Sequence, residues 1–124
     1  MSKPHIEPGP DHPITVRPNP GRVLARVGDR VVATSTNSLT LQEADYPAVQ
    51  YVPMSDVDVD VLHRTETSTY CPYKGDAAYY SLRLDGIELT DAVWTYEAPS
   101  PAVAEIAGHV ACYTDRVQVD VTQA

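Results

Sequence analysis

Phenylalanine is missing from this chain, tryptophan occurs once, and eight tyrosines supply nearly all of the aromatic area. A core built from Val, Ala and Leu, with Tyr as its large residue, carries hydroxyls that usually take a hydrogen-bond partner when buried. That bias favours a polar-lined pocket over a uniformly dry interior. Basic residues are scarce too: nine Lys and Arg stand against 17 Asp and Glu, a formal charge of −8. A phosphate backbone is held by a Lys/Arg surface, so nucleic acid is not the expected partner. No run reaches the roughly 18 apolar residues of a membrane helix, and the N-terminus lacks the apolar core of a secretory signal. No membrane partner is therefore expected, and the location expected is cytoplasmic. Only Cys71 and Cys112 are present. Neither belongs to a C-x-x-C pair and no two His stand at ligand spacing, so no metal site is expected. Their number permits one disulfide, which a reducing compartment disfavours.

A length of 124 residues suits one domain. Residues 1–13 carry four prolines together with His5 and His12, the composition of a disordered Pro-rich tail. That leaves 14–124 as a single mainly-β domain. Ile14 to Arg17, Arg22 to Val27 and Arg30 to Thr34 read as strands, the last two joined by a two-residue loop at Gly28-Asp29. Leu39 to Glu43 and Val49 to Val52 follow. From Asp56 to Val61 Asp and Val alternate, which predicts an extended segment with Asp56, Asp58 and Asp60 on one face. Such a row serves as an acidic solvent face or, less simply, as a cation site. Ser100-Pro101 before Ala102 to Ala107 and Gly108 predicts one short helix near residues 101–107. His109 to Tyr113 and Val117 to Val121 read as a closing pair of strands, with His109 either a structural histidine or a titrating one. The fold class expected is all-β, mainly antiparallel, a compact sandwich or barrel-like sheet with that one helix.

The sharpest local signal is Leu84-Asp85-Gly86-Ile87, a two-residue hairpin loop. It predicts Leu84 opposite Ile87, Arg83 opposite Glu88, Leu82 opposite Leu89 and Ser81 opposite Thr90, with charges and leucines matched across the strands. One face then carries Leu84, Leu82, Tyr80 and Ala78 with Ile87, Leu89 and Val93, a core face. The other carries Tyr79, Ala77, Gly75 and Tyr73 beside Trp94 and Tyr96, four rings around a floor of Ala and Gly. Asp91 falls on the core face in this register, which predicts a β-bulge near Asp91-Ala92. Extended without a shift, the register sets Lys74 opposite Glu97 as an ion pair. Lys74 joins the aromatic basin only if the strand bulges or begins after Gly75.

Thr69-Tyr70-Cys71-Pro72-Tyr73-Lys74-Gly75, then Ala77 and Tyr79, Trp94-Thr95-Tyr96-Glu97 with Pro99, and Ile106-Ala107-Gly108-His109 together resemble the domain of unknown function 427 family. These are small, mainly-β proteins, sometimes labelled nucleotidyltransferase-like. The resemblance runs from about His12 to Val121 and takes in Glu43, Tyr51-Val52-Pro53 and Asp56 as further matches. Cys112 departs from it, standing where the family pattern usually has Phe. The residues themselves supply no Gly-rich phosphate loop and no paired-aspartate metal signature beyond the Asp/Val alternation.

Three functions fit these residues. The leading one is binding of an unidentified small molecule in a pocket formed by Glu43, Tyr51, Tyr73, Lys74, Tyr79, Trp94 and Tyr96, where rings stack a planar ligand or cage a cation. The second is an enzyme with Cys71 as nucleophile or Lys74 as nucleophile or Schiff-base amine. The third is an interaction module presenting its Tyr-rich face to a protein. Cofactor and oligomeric state are not legible in the sequence.

Overall fold

The computed structural model describes residues 4–122, and among them ten strands form two antiparallel sheets. The strands are β1 (Ile14–Pro18), β2 (Arg22–Val27), β3 (Arg30–Ser35), β4 (Leu39–Glu43), β5 (Val49–Pro53), β6 (Leu62–Cys71), β7 (Gly75–Leu84), β8 (Ile87–Tyr96), β9 (His109–Cys112) and β10 (Gln118–Thr122). The larger sheet has the order β1-β4-β5-β9-β8-β7-β6, and the smaller is β10-β2-β3. The all-β, mainly antiparallel expectation holds, in a sandwich-like form without a closed barrel. No helix of the described residues is long and apolar enough to cross a membrane.

Side-chain alternation along the larger sheet separates two apolar layers. Val52, Leu82, Leu84, Val93 and Val110 face the smaller sheet, where Val23, Ala25, Val32 and Ala33 meet them. Leu41, Tyr51, Ala77, Tyr79, Tyr96 and Ala111 face the opposite way and are covered by Val103 and Ile106. Those two residues come from Pro101–Ile106, where the predicted helix is a 3-10 segment kinked at Val103 (φ −129°, ψ 29°). Ser100 gives it no side-chain cap, because its hydroxyl donates instead to the Tyr73 carbonyl.

Both predicted hairpin loops close as expected, with Val27 opposite Arg30 and Leu84 opposite Ile87. In the second hairpin Arg83 and Leu82 keep Glu88 and Leu89 as partners, but the register then shifts. Tyr80 lies opposite Val93, Tyr79 opposite Trp94 and Ala77 opposite Tyr96. The predicted bulge replaces the expected Ser81 to Thr90 pair: Asp91 adopts φ 51°, its N–H donates to Ser81 Oγ at 3.0 Å, and its carboxylate accepts from Thr65 and Thr67 hydroxyls at 2.6 Å each. A shift of two residues on one strand preserves alternation, so both predicted faces survive it. The exceptions are Ile87, 49 % exposed at the hairpin tip, and Tyr73, which falls in the turn before β7.

Two expectations are corrected. Asp56 to Val61 is not extended: Met54–Asp56 and Val59–Val61 are single 3-10 turns, and Asp58 accepts from the Asp60 N–H at 3.2 Å. Asp56 accepts from Ser35 Oγ at 2.5 Å and Asp58 from Arg30 at 3.1 Å, so these carboxylates serve separate local contacts instead of one row. The closing strands do not pair with each other, since β9 lies between β5 and β8 whereas β10 joins β2. β6, an edge strand, was not expected at all. Residues 4–13, expected as a tail, lie along the domain: Ile6 N–H donates to Pro72 O at 3.0 Å and the Tyr70 hydroxyl donates to Pro4 O. Residues 1–3, the rest of that expected tail, lie outside the described residues.

Candidate functional site

The segment from Cys71 to Gly75 decides the site. Pro72 suits the second position of a β-turn, and the turn closes with Lys74 N–H donating to Cys71 O at 3.2 Å. Gly75 follows at φ 111°, a conformation that side-chain-bearing residues rarely adopt, and opens β7. Ser100 then fixes the turn from outside, its N–H donating to Lys74 O at 3.0 Å and its hydroxyl to Tyr73 O. Lys74 therefore belongs to the turn and does not follow the alternation of β7.

Its ammonium is paired with Glu43 at the end of β4, not with Glu97. Glu97 is instead held by Arg64 through two bonds of 2.9 and 3.0 Å. The Glu43 carboxylate also bonds His12 Nε2 at 2.7 Å, and the Glu43 and Lys74 side chains are only 15 % and 13 % exposed. Burial pulls the Glu43 carboxyl up, but hydrogen bonds and charge from Lys74 and His12 outweigh it and leave the group below its ordinary value. The Lys74 ammonium lies 5.9 Å above the centre of the Tyr96 ring.

Glu43, Lys74, Tyr51, Tyr79, Trp94 and Tyr96 line one cavity of about 220 Å³, together with Leu41, Tyr46, Pro47, Val49 and Tyr113. The alternation of β7 and β8 brings Tyr79, Trp94 and Tyr96 to this face, and Ala77 and Ala111 lie opposite Tyr96 and Trp94 in the two ladders. The Trp94 indole N–H donates to the Tyr51 hydroxyl at 3.2 Å, which leaves the Tyr51 proton free to donate in turn. Tyr79 shares a 2.9 Å hydrogen bond with Thr69 and accepts a long one of 3.5 Å from Tyr113. Burial pushes the Tyr51 and Tyr113 hydroxyls up to about 12 and raises Tyr96 as well, so these phenols are neutral at physiological pH. Aromatic walls, neutral hydroxyls and one internally balanced ion pair suit the recognition of an organic ligand.

Tyr73, named with the others from sequence, does not line the cavity. It stacks on His12 at 4.1 Å between ring centres, 12° apart in plane, outside the Glu43 contact. Cys71 packs among the apolar residues beneath the site, and its thiol is free. His12, Tyr46 and Tyr113 were missed. Tyr113 carried a legible signal, because it continues the alternation of Ala111; His12 carried none, lying in a segment with no strand pattern. Among the described residues no three His, Cys, Asp or Glu side chains gather as a metal-ligand set.

Residues 15–123 match the family described as a domain of unknown function, DUF427, and the chain belongs to it. No curated protein matches the chain.

Proposed function

We propose that this DUF427 member is a small-molecule-binding domain whose site is the cavity between Glu43–Lys74 and the rings of Tyr51, Tyr79, Trp94 and Tyr96. The observation that carries the reading is convergence. Six residues chosen from four separate stretches of sequence line one cavity, and the cation that strand alternation would have turned away is brought in by the turn at Cys71 to Gly75. Tyr51 and Lys74 offer donors to the ligand, the rings offer flat apolar area, and Glu43 keeps Lys74 in place. With its acidic composition the domain is read as taking no nucleic acid and acting in the cytoplasm.

The enzyme alternative gains less from the geometry. Lys74 is committed to Glu43, and Cys71 lies off the cavity with no hydrogen-bonded base among the described residues. The interaction-module alternative needs several exposed tyrosines on one face, yet Tyr51, Tyr79 and Tyr96 are buried and, of the tyrosines lining the cavity, Tyr46 alone is largely exposed. Native mass spectrometry of gently purified protein tests the reading. A retained small-molecule adduct that is lost in Lys74→Ala and Trp94→Ala, both folded by circular dichroism, is the expected result. An adduct retained by both variants would place binding elsewhere.

A further inference from the structure

The larger sheet is not continuous beside the site. β5 gives Val49, Gln50 and Tyr51 to β4, but its ladder with β9 consists only of Val52 opposite Val110 and Pro53 opposite His109. No ladder pair joins Val49–Tyr51 to Ala111–Tyr113, so the two strands fork there. The side chains around this fork include Trp94, Tyr113 and the Tyr51 hydroxyl that Trp94 bonds.

A second cavity of about 420 Å³ lies on the other face of the fork, between the two sheets. Its walls include Val23 and Ala25 of β2, Val119 of β10, and Val52, Val110 and Cys112 of the larger sheet. It shares Tyr46, Pro47, Val49, Trp94 and Tyr113 with the polar cavity, which are the residues around the fork. The cavity is open to solvent at a rim that includes Tyr46 and Val121, and its lining is mainly apolar. An apolar chamber of this size, touching the polar cavity through a break in the sheet, is the shape of a site for a molecule with two unlike ends.

Resting on the binding reading above, we infer that the two cavities form one site, and that its ligand is an uncharged amphiphile. The polar head lies against Lys74 and Tyr51, the chain passes the fork beside Trp94, and the hydrocarbon end fills the chamber between the sheets. The head is uncharged because the charge here is already balanced. Lys74 is paired with Glu43, an anionic head would meet the Glu43 carboxylate, and a cationic head would meet Lys74. What remains is hydrogen bonding: the spare Lys74 donors and the Tyr51 proton suit a carbonyl or hydroxyl oxygen.

The test uses primary alkanamides from propanamide to decanamide, followed by the emission of Trp94, which is the only tryptophan and stands at the fork. Each added methylene is expected to tighten binding about fourfold until the chamber is full. Val119→Phe, which narrows the chamber, is expected to end the length dependence at a shorter chain and leave propanamide binding within about twofold. Tyr51→Phe is expected to weaken every amide by one common factor, since it removes the hydroxyl that meets the head, and with it the acceptor of the Trp94 indole N–H, but leaves the chamber walls unchanged. Val121→Phe, at a rim position 41 % exposed, serves as the second chamber variant if Val119→Phe fails to fold. A series that binds without length dependence, yet is weakened by Tyr51→Phe, would overturn the two-compartment site and leave the polar-cavity reading standing. Length dependence unchanged in both chamber variants would also overturn it. If no amide of any length perturbs Trp94, the two-compartment site is overturned, and the polar-cavity reading is then decided by the adduct experiment.

Discussion

Lys74→Met is the most informative single perturbation, because Met keeps the aliphatic stem that packs near Tyr96 and deletes only the charge. Orphaning one member of a fully buried ion pair costs about 3–5 kcal/mol. Here roughly one-seventh of each side chain is exposed, and Glu43 keeps its 2.7 Å bond to His12. We expect the cost at pH 7 to fall to about 2 kcal/mol. For a chain of this length that corresponds to a melting temperature lower by about 6–10 °C. The sign of the pH dependence follows from the lowered Glu43 carboxyl. A group whose folded value lies below its unfolded one stabilises the fold fully above the unfolded value and loses that contribution as pH falls through the folded value. Only as pH falls past that lowered folded value does Glu43 become protonated and need the ammonium less. Urea unfolding of wild type and variant at pH 7 and pH 3.5 should therefore show a gap that is wide at pH 7 and narrower at pH 3.5. A gap below about 0.5 kcal/mol at pH 7, or one of equal size at both pH values, would refute the claim that this pair is a buried, charge-dependent contact.

Glu97→Gln should cost at most about 0.5 kcal/mol by urea unfolding, because its Arg64 pair is more than half exposed; a loss near 2 kcal/mol would show that Glu97 belongs to the buried network after all. Asp91→Ala should destabilise by about 1–2 kcal/mol, removing two short hydroxyl contacts at a residue held at φ 51°. Asp91→Asn, which tolerates that backbone and retains an acceptor, should lose clearly less, and equal losses in the same urea experiment would argue against the clamp. Burial pushes the Cys112 thiol up to about 12, so iodoacetamide at pH 8, although small enough to enter the chamber that Cys112 lines, should label it far more slowly in the native protein than after unfolding; peptide mass spectrometry showing native labelling at the rate of a free thiol would contradict the raised thiol.

What the sequence disclosed about the fold follows how local each determinant is. Asp85-Gly86 and Gly28-Asp29 specify two-residue loops from their own backbone preferences, and the flanking residues pair accordingly. β6 escaped because Arg64 to Thr69 carries no apolar alternation, which an exposed edge strand does not need. The Asp/Val run misled for the opposite reason. Its alternation is genuine, but Asp58 offers its carboxylate to the backbone two residues on, and that local bond favours a turn over a strand. The placement of β10 beside β2 rests on contacts nearly a hundred residues apart and left no local trace.

The site shows the same boundary more sharply, in the choice between two carboxylates for one lysine. Strand parity correctly gathered Tyr79, Trp94 and Tyr96, since alternation survives a bulge that shifts the register by two. It placed Lys74 opposite Glu97 because nothing in the local sequence says that Ser100 pins the Cys71 to Gly75 turn from 26 residues away. Energetics then decides the partner. Glu97 is 55 % exposed, has water and Arg64, and gains little from a second cation. Glu43 is 15 % exposed and walled by Leu41 and Tyr51, where an unpaired carboxylate is costly and Coulomb attraction is stronger. The buried carboxylate therefore takes the cation, and His12 from the N-terminal segment takes its second oxygen. It follows that residues 4–13 and the pocket are thermodynamically linked through Glu43: whatever displaces His12 leaves the carboxylate to Lys74 alone.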